Sequence, residues 1–287
     1  MRRAFVIFLF AALIMQRAAA SGNEVEAALN QQYKKKNYSL RHPVTANSQR
    51  FDSSGRLLSG GREGPWTVYS RLNIRKIKLS PNRLTLDADR ICYGFDKRQK
   101  RLVPMKLGGS VSLEIALDQP LTSSEQANAV LDRVFAFSKE NFLASMPLWW
   151  RVYMDEHLEG SPGDGSDLQM KEMPEWKPES KISGPPVKDE NGIYRGGAGM
   201  TSPKPVFTPD PDYNDLARKA RLSGSNTFQF VVDDAGKVAG FNLVQPLGLG
   251  LDEQAVVCFQ TWTFRPAMLE EKPVKTRMIV ETHFNLY

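Results

Sequence analysis

Residues 213–286 constrain the fold more than any other part of the chain, because helix and strand signals follow one another there without a long interruption. Residues 233–236, Asp-Asp-Ala-Gly, form a turn in which Asp accepts local backbone bonds and Gly tolerates the positive φ of a tight hairpin. Pro266 disfavours helix at the residue before it and so marks where a helix must have ended. The predicted order is helix (215–222), strand (226–232), strand (238–244), helix (251–262) and strand (274–286).

The final strand shows the clearest alternation in this region. One of its sides carries Val274, Thr276, Met278, Val280, Thr282, Phe284 and Leu286. A period of two indicates a strand with one buried face, and the helices supply the layer that covers it. Residues 203–287 are therefore predicted to form a two-layer α/β domain within a chain of the α+β class.

This region resembles the C-terminal domain of the TonB energy-transducer family. The matching residues are Tyr213, Ala217, Gly224, Val231-Val232-Asp233-x-x-Gly236-x-Val238, Leu251-Asp252-Glu253-x-Ala255, Trp262-x-Phe264-x-Pro266-Ala267, Lys272-Pro273-Val274 and Phe284-x-Leu286. The sequence departs from the family pattern at Asn214, where Pro is usual, and at Glu271, where a turn Gly is frequent. Asn226 also places an amide on the predicted buried face.

The resemblance implies a binding role. In that family the domain engages outer-membrane receptors, and an extended receptor segment adds as a strand to the exposed edge of the sheet. Carried over to this chain, the expected partner-binding residues are Tyr213, Thr276, Met278, Val280 and Thr282. The alternative is that the final strand only closes its own sheet or pairs with a second copy, which would give a homodimer.

The first twenty residues have the character of an export signal. Arg2 and Arg3 precede an apolar run over 4–15, and small residues follow at 18–21. The apolar run is shorter than the roughly 20 residues that a spanning helix requires. We expect cleavage near Ala20 and a periplasmic protein; membrane association is expected only if this segment is retained as an anchor.

Residues 21–158 are predicted to form a second domain, an antiparallel sheet of five or more strands followed by a helical pair. Thr122 or Ser123 is expected to cap the first of these helices, and Pro147 to begin the second. Trp149 and Trp150, on the second helix, are expected to pack in a core or a domain interface. Residues 159–202, rich in Pro and Gly, are expected to be a linker that leaves the two domains independent in orientation.

No sequence motif for catalysis is present, so we expect neither an enzyme nor a cofactor. The three histidines are scattered without ligand spacing, which gives no basis for a metal site. Cys92 and Cys258 are expected to be small buried hydrophobes rather than a disulfide. Basic clusters at 34–36 and 97–101 lack the interleaved aromatic residues of a nucleic-acid site and are expected to be solvated.

Two classes of function follow from these observations. The favoured one is an exported protein whose C-terminal domain binds a protein partner, such as the periplasmic segment of a TonB-dependent outer-membrane receptor. The alternatives are an anchored energy transducer for outer-membrane transport, which needs a retained N-terminal helix, or a cell-envelope structural protein whose basic sheet domain binds anionic lipid or glycan.

Overall fold

A computed structural model describes residues 21–105, 107–173, 176 and 184–286 of the chain. The predicted export signal, residues 1–20, lies outside the described residues. Within the described ranges, no helix has both the length and the apolar character needed to cross a bilayer. The structure contains both helices and strands in two successive units and is of the α+β class, as predicted.

The first unit is a large sheet with helices packed on it. Its elements are α1 (Gly22–Tyr33), β1 (Asn37–Leu40), β2 (Ser48–Phe51), β3 (Leu57–Ser59), α2 (Trp66–Tyr69), β4 (Arg71–Ser80), β5 (Arg83–Asp96), β6 (Arg101–Met105), β7 (Ser110–Ala116), α3 (Ser124–Val134), β8 (Phe135–Ala136), α4 (Lys139–Ala144) and α5 (Leu148–His157). The strand order is β3-β2-β7-β5-β4-β1-β8, and β6 pairs with β5. The predicted helical pair is present as α3 and α5, with the short α4 between them.

One strand pair departs from the antiparallel prediction. Strands β2 and β7 run parallel, with Ser48 opposite Ser112 and Phe51 opposite Ile115. The chain between them passes through β3 to β6, and a parallel pair requires such a long crossover. Local sequence patterns do not encode which distant strand becomes a neighbour, so the prediction was wrong at this pair.

The segment predicted as a plain linker contains short strands: β9 (Leu158–Glu159), β10 (Gln169–Met170), β11 (Val187–Lys188) and β12 (Tyr194–Arg195). Leu168, Met170 and Met173 are buried in the hydrophobic core. Strand β12 joins the C-terminal sheet. These contacts could not be predicted from the sequence. The segment is rich in proline and glycine, and its strands are only two residues long, which is too short for a period of two to be recognised.

The second unit has the predicted helix–strand–strand–helix–strand order with short strands added. Its elements are β13 (Lys204–Phe207), α6 (Asp215–Lys219), β14 (Gly224–Val232), β15 (Val238–Gln245), α7 (Leu251–Phe259), β16 (Thr263–Arg265), β17 (Ala267–Leu269), β18 (Lys272–Val274) and β19 (Thr276–Phe284). The main sheet has the order β11-β12-β19-β14-β15. The long final strand predicted from residue 274 is broken at Lys275, so that β18 turns back on β17 while β19 enters the sheet.

One hydrophobic core spans both units, and a second lies within the N-terminal unit alone. Trp150 of α5 is fully buried, with its ring 5.0 Å from that of Trp66. The indole Nε1 of Trp150 donates to Glu253 Oε1 of α7 at 2.9 Å. The backbone N–H of Gly250 donates to Thr67 Oγ1 at 3.0 Å. The expected independence of the two domains is therefore not found, whereas the expected burial of Trp150 is confirmed.

The two cysteines are both free thiols. Cys92 is buried on β5, and burial raises the pKa of its thiol to about 11. Cys258 is half-buried on α7, and its Sγ lies 3.1 Å from the carbonyl oxygen of Pro209. Cys92 is therefore buried as predicted, whereas Cys258 is only partly so.

Candidate partner-binding edge

The final strand β19 is the strand from which the resemblance predicts binding. On one side it pairs along its whole length with β14, from Thr276 opposite Val232 to Phe284 opposite Gly224. On its other side, among the described residues, it pairs only with β12, through Tyr194 opposite Thr276. The edge from Met278 to Phe284 therefore has no described strand beside it.

The direction of the unpaired backbone groups follows from one hydrogen bond. The carbonyl oxygen of Lys275 accepts from the N–H of Tyr194 at 2.8 Å, so it points away from β14. Inward and outward backbone groups alternate along an antiparallel strand. The N–H and C=O groups of Ile279, Glu281 and His283 therefore point outward, where an added strand would pair.

Four of the five sequence-predicted site residues alternate with these three residues, so their backbone groups point toward β14 and not outward. The side chains of Thr276 and Thr282 are buried, and those of Met278 and Val280 are half-buried on the face that meets α7. By the same alternation, their backbone groups pair with β14. These four residues position the edge, while the intervening residues present its free backbone groups.

Tyr213, the fifth predicted residue, lies close to the far end of the same strand. Its ring contacts that of Phe284 edge-on at 5.6 Å, and its hydroxyl donates to the carbonyl of Leu222. The guanidinium of Arg218 lies 5.6 Å from the centre of the ring. Tyr213 is thus fixed from three sides at the entry to the domain.

A groove of about 360 Å³ runs beside this end of β19. Its lining residues are Asp210, Pro211, Tyr213, Trp262, Val280, Glu281, Thr282, His283, Phe284 and Asn285. The indole Nε1 of Trp262 donates to the carbonyl oxygen of Pro209 at 2.9 Å, which holds the 209–213 segment against the end of α7. The groove therefore combines aromatic walls with an open strand edge, which is a suitable shape for an extended peptide.

A buried carboxylate organises the turn behind the sheet. Asp252, the second residue of α7, has no exposed surface and accepts from Asn226 Nδ2 at 3.0 Å. Its two oxygens also accept the backbone N–H groups of Leu247 at 2.9 Å and Gly248 at 2.7 Å. Burial raises its pKa to about 6, against the opposing effect of these donors. The amide of Asn226, unexpected on a buried face, is thus the partner of Asp252.

Glu253 connects this turn to the N-terminal unit. Its Oε1 accepts from Trp150, while its Oε2 is buried without a described hydrogen-bond partner. Burial, followed by the charge of Asp252, raises its pKa to about 8. A carboxyl group in this position is favoured in its neutral form.

Sequence reasoning missed the residues that present the edge and the pair that supports it. The outward groups of Ile279, Glu281 and His283 follow from strand phase, which is set by pairing with β14 rather than by residue type. One signal for the Asn226–Asp252 bond was available, because an amide on an otherwise apolar strand face needs a buried partner.

Comparison with protein families identifies the C-terminal domain. Residues 209–286 match the family described as Gram-negative bacterial TonB protein C-terminal. This part of the chain is therefore a TonB C-terminal domain, and the resemblance read from the sequence is confirmed. That family consists of envelope-associated, non-enzymatic transducers.

Among solved structures, the chain matches the solution NMR structure of the Pseudomonas aeruginosa TonB C-terminal domain. The two are 13% identical, and the match covers 31% of this chain and 88% of that chain with a TM-score of 0.24. No curated protein matches the sequence.

Proposed function

We propose that this chain is a cell-envelope protein whose C-terminal domain binds an extended segment of a protein partner, by strand addition to the open edge of β19. The observation that supports this most directly is the stretch from Met278 to Phe284, which has β14 on one side and no described strand on the other. The partner class that fits the domain family is the periplasmic segment of a TonB-dependent outer-membrane receptor.

The physical basis of the proposed binding is main-chain pairing. Unpaired N–H and C=O groups on an edge strand supply affinity to any segment that can extend beside them. Each net hydrogen bond contributes about 1 kcal/mol, so the three outward residues of β19 support a weak interaction on their own. The groove beside Tyr213 and Trp262 adds apolar surface for a side chain of the incoming strand.

A short strand of the chain itself already pairs at this edge, which supports the proposal. The short β12 strand already lies parallel to the first residue of β19 through the Tyr194–Thr276 pair. The Thr276 hydroxyl reinforces that pair by donating to the carbonyl oxygen of Tyr194 at 3.0 Å. Beyond this pair, from Met278 to Phe284, no described strand lies on that side of β19.

The test is an NMR titration of the full chain with synthetic periplasmic segments of outer-membrane receptors. We expect backbone amide shifts at Ile279, Glu281 and His283 and at the Tyr213 ring. The amides of β3, the edge strand of the N-terminal sheet, serve as an internal control and should not move. A panel that shifts no β19 amide at millimolar peptide would contradict the proposal.

The homodimer alternative predicts a different result. If β19 pairs with β19 of a second copy, the same amides should shift on dilution of the protein alone, and the mass in solution should fall with concentration. A monomer whose β19 amides move only with peptide would favour the partner over self-association.

A further inference from the structure

An incoming strand would lie beside β19 on the side away from β14, and β12 already occupies the beginning of that side. Tyr194 of β12 pairs with Thr276, its N–H bonded to the Lys275 carbonyl. By the parallel ladder, the carbonyl of Tyr194 faces the N–H of Arg277. An added strand cannot use these backbone groups while β12 is in place.

The hairpin formed by β11 and β12 is locked internally. Asp189 accepts the N–H groups of Asn191 at 3.0 Å and Ile193 at 2.9 Å through its carboxylate. These bonds lower the pKa of Asp189 and hold its turn, in which Gly192 has a φ of +77°. A hairpin closed by its own turn residue can act as a single body against the sheet.

Contacts beyond the backbone fasten this hairpin to β19. The same Asp189 carboxylate forms an ion pair with the Arg277 guanidinium, so the turn is joined to the outer face of the strand. After β12 the chain leaves the edge, and the N–H of Ala198 bonds to the Gly184 carbonyl at 2.9 Å. The hairpin therefore ends abruptly beside Arg277 and does not cover the strand further along.

The open part of the edge has a definite length. From Met278 to Phe284 a strand rises about 3.3 Å per residue, which leaves about 20 Å of edge. The outward groups there belong to Ile279, Glu281 and His283, so a complementary strand of about five residues would satisfy them.

We propose that the hairpin of residues 187–195 is a built-in stop, which limits the part of the partner that pairs with β19 to about five residues and sets its register. This inference rests on the proposed strand addition and adds the length and register of the paired segment. A one-residue slip would exchange the side chains on the two faces of the incoming strand, so a fixed end would confer specificity.

The test uses the full chain and the receptor segment that binds best in the titration described above. That segment is prepared as a five-residue peptide and as two nine-residue peptides. One of these carries two Thr-Ser pairs before the five residues, and the other carries two Thr-Ser pairs after them. The chain variants are Tyr194→Pro, which removes the N–H that bonds Lys275, and Tyr194→Phe, which keeps it. Retention of the far-ultraviolet spectrum and of the β14 amide positions shows that each variant is folded.

For the unaltered chain and Tyr194→Phe, we expect the five- and nine-residue peptides to bind within about twofold of each other. In Tyr194→Pro, one of the nine-residue peptides should bind about tenfold more tightly than the five-residue peptide, since one or two further backbone bonds become available. The short peptide should bind all three chains alike.

Two results would overturn the stop. In one, the unaltered chain binds a nine-residue peptide about tenfold more tightly and the Tyr194 amide shifts, which would show that the hairpin is displaced. In the other, lengthening the peptide has no effect even in Tyr194→Pro. If no peptide binds any of the chains, the proposed function fails and the stop fails with it, a result distinct from the first two.

Discussion

The two sheets of this protein end in different ways. Among the described residues the N-terminal sheet has three edge strands: β3 and β8, which are only 3 and 2 residues long, and the five-residue β6, which pairs only with β5 and contains Pro104. In the C-terminal sheet, the edge strand β15 is bulged in its pairing with β14, and α5 packs against it. The nine-residue β19, in contrast, pairs with β14 without a register shift, and among the described residues another strand covers only its start.

This comparison shows which edge strand has backbone groups free to pair with another chain. Proteins suppress unwanted association by keeping edge strands short, by bulging them or by covering them. Among the described residues, β3, β8 and β15 carry such protection and β6 carries a proline, which cannot donate to an added strand, whereas the edge from Met278 to Phe284 has none of these features. An unprotected edge beside an aromatic groove is better explained by a binding role than by the needs of folding.

The largest expected effect concerns the core that ties the sheets together. Replacement Trp150→Ala removes a fully buried ring and the donor to Glu253, and should lower the free energy of unfolding by about 3–5 kcal/mol. Urea denaturation followed by fluorescence and by circular dichroism should show one shared transition in the unaltered chain. Leu148→Ala, at a side chain that is 67% exposed on the same helix, should change little. Two separate transitions in the unaltered chain would mean that the sheets fold independently.

A pair of proline substitutions sharpens the contrast between the two sides of β19. Val280→Pro removes an inward N–H that pairs with β14, and should lower the free energy of unfolding by about 3 kcal/mol. Ile279→Pro removes an outward N–H and should cost far less stability, while weakening peptide binding by about tenfold or more. Thermal unfolding and peptide titration of both variants provide the measurement. Equal losses of stability would contradict the assigned phase of the strand.

The third prediction concerns pH. Burial raises the pKa of Asp252 to about 6 and that of Glu253 to about 8, so the folded chain holds protons that the unfolded chain releases at lower pH. Stability from these groups is therefore present below about pH 4 and declines as pH rises through 6 to 8. Glu253→Gln should reduce the loss between pH 6 and 9 by on the order of 2 kcal/mol.

Urea midpoints across that pH range provide the measurement for Glu253→Gln. Glu156→Gln, at an exposed carboxylate of α5, is the matched control and should leave the pH dependence unchanged. A Glu253→Gln profile parallel to that of the unaltered chain would show that Glu253 is ionised in the folded protein at neutral pH.

The smallest expected effect is that of the ion pair at the covered end of β19. Asp189 and Arg277 are both partly exposed, so Arg277→Ala should lower the free energy of unfolding by less than about 1 kcal/mol. The amide of Tyr194 should nevertheless exchange with solvent faster, because the hairpin loses one of its attachments. An unchanged exchange rate would mean that backbone pairing alone holds β12.

The C-terminal elements were predictable because their signals are local. The turn at 233–236 forms as expected, with Asp233 accepting the N–H groups of Ala235 and Lys237. Helix α7 begins at Leu251 as predicted and ends at Phe259, three residues before the predicted end at 262. In such segments the residue types, their period and their turn chemistry all favour one structure.

The remaining features depend on partners that are distant in sequence. The bond between Trp150 and Glu253 joins residues from different units, and the pairing of Tyr194 with Thr276 brings a glycine- and proline-rich segment to the sheet. Neither residue pattern identifies its partner. The site residues predicted on β19 came from the family resemblance and share one side-chain face, whereas the free backbone groups belong to the residues between them.

Amide hydrogen exchange along β19 in the full chain, without peptide, tests the central claim most directly. The outward amides of Ile279, Glu281 and His283 should exchange at least tenfold faster than the inward amides of Met278, Val280 and Thr282, and a bound peptide should remove that difference. Uniform slow exchange from Met278 to Phe284 in the free monomer would show that the edge is already covered, and would contradict strand addition at this site.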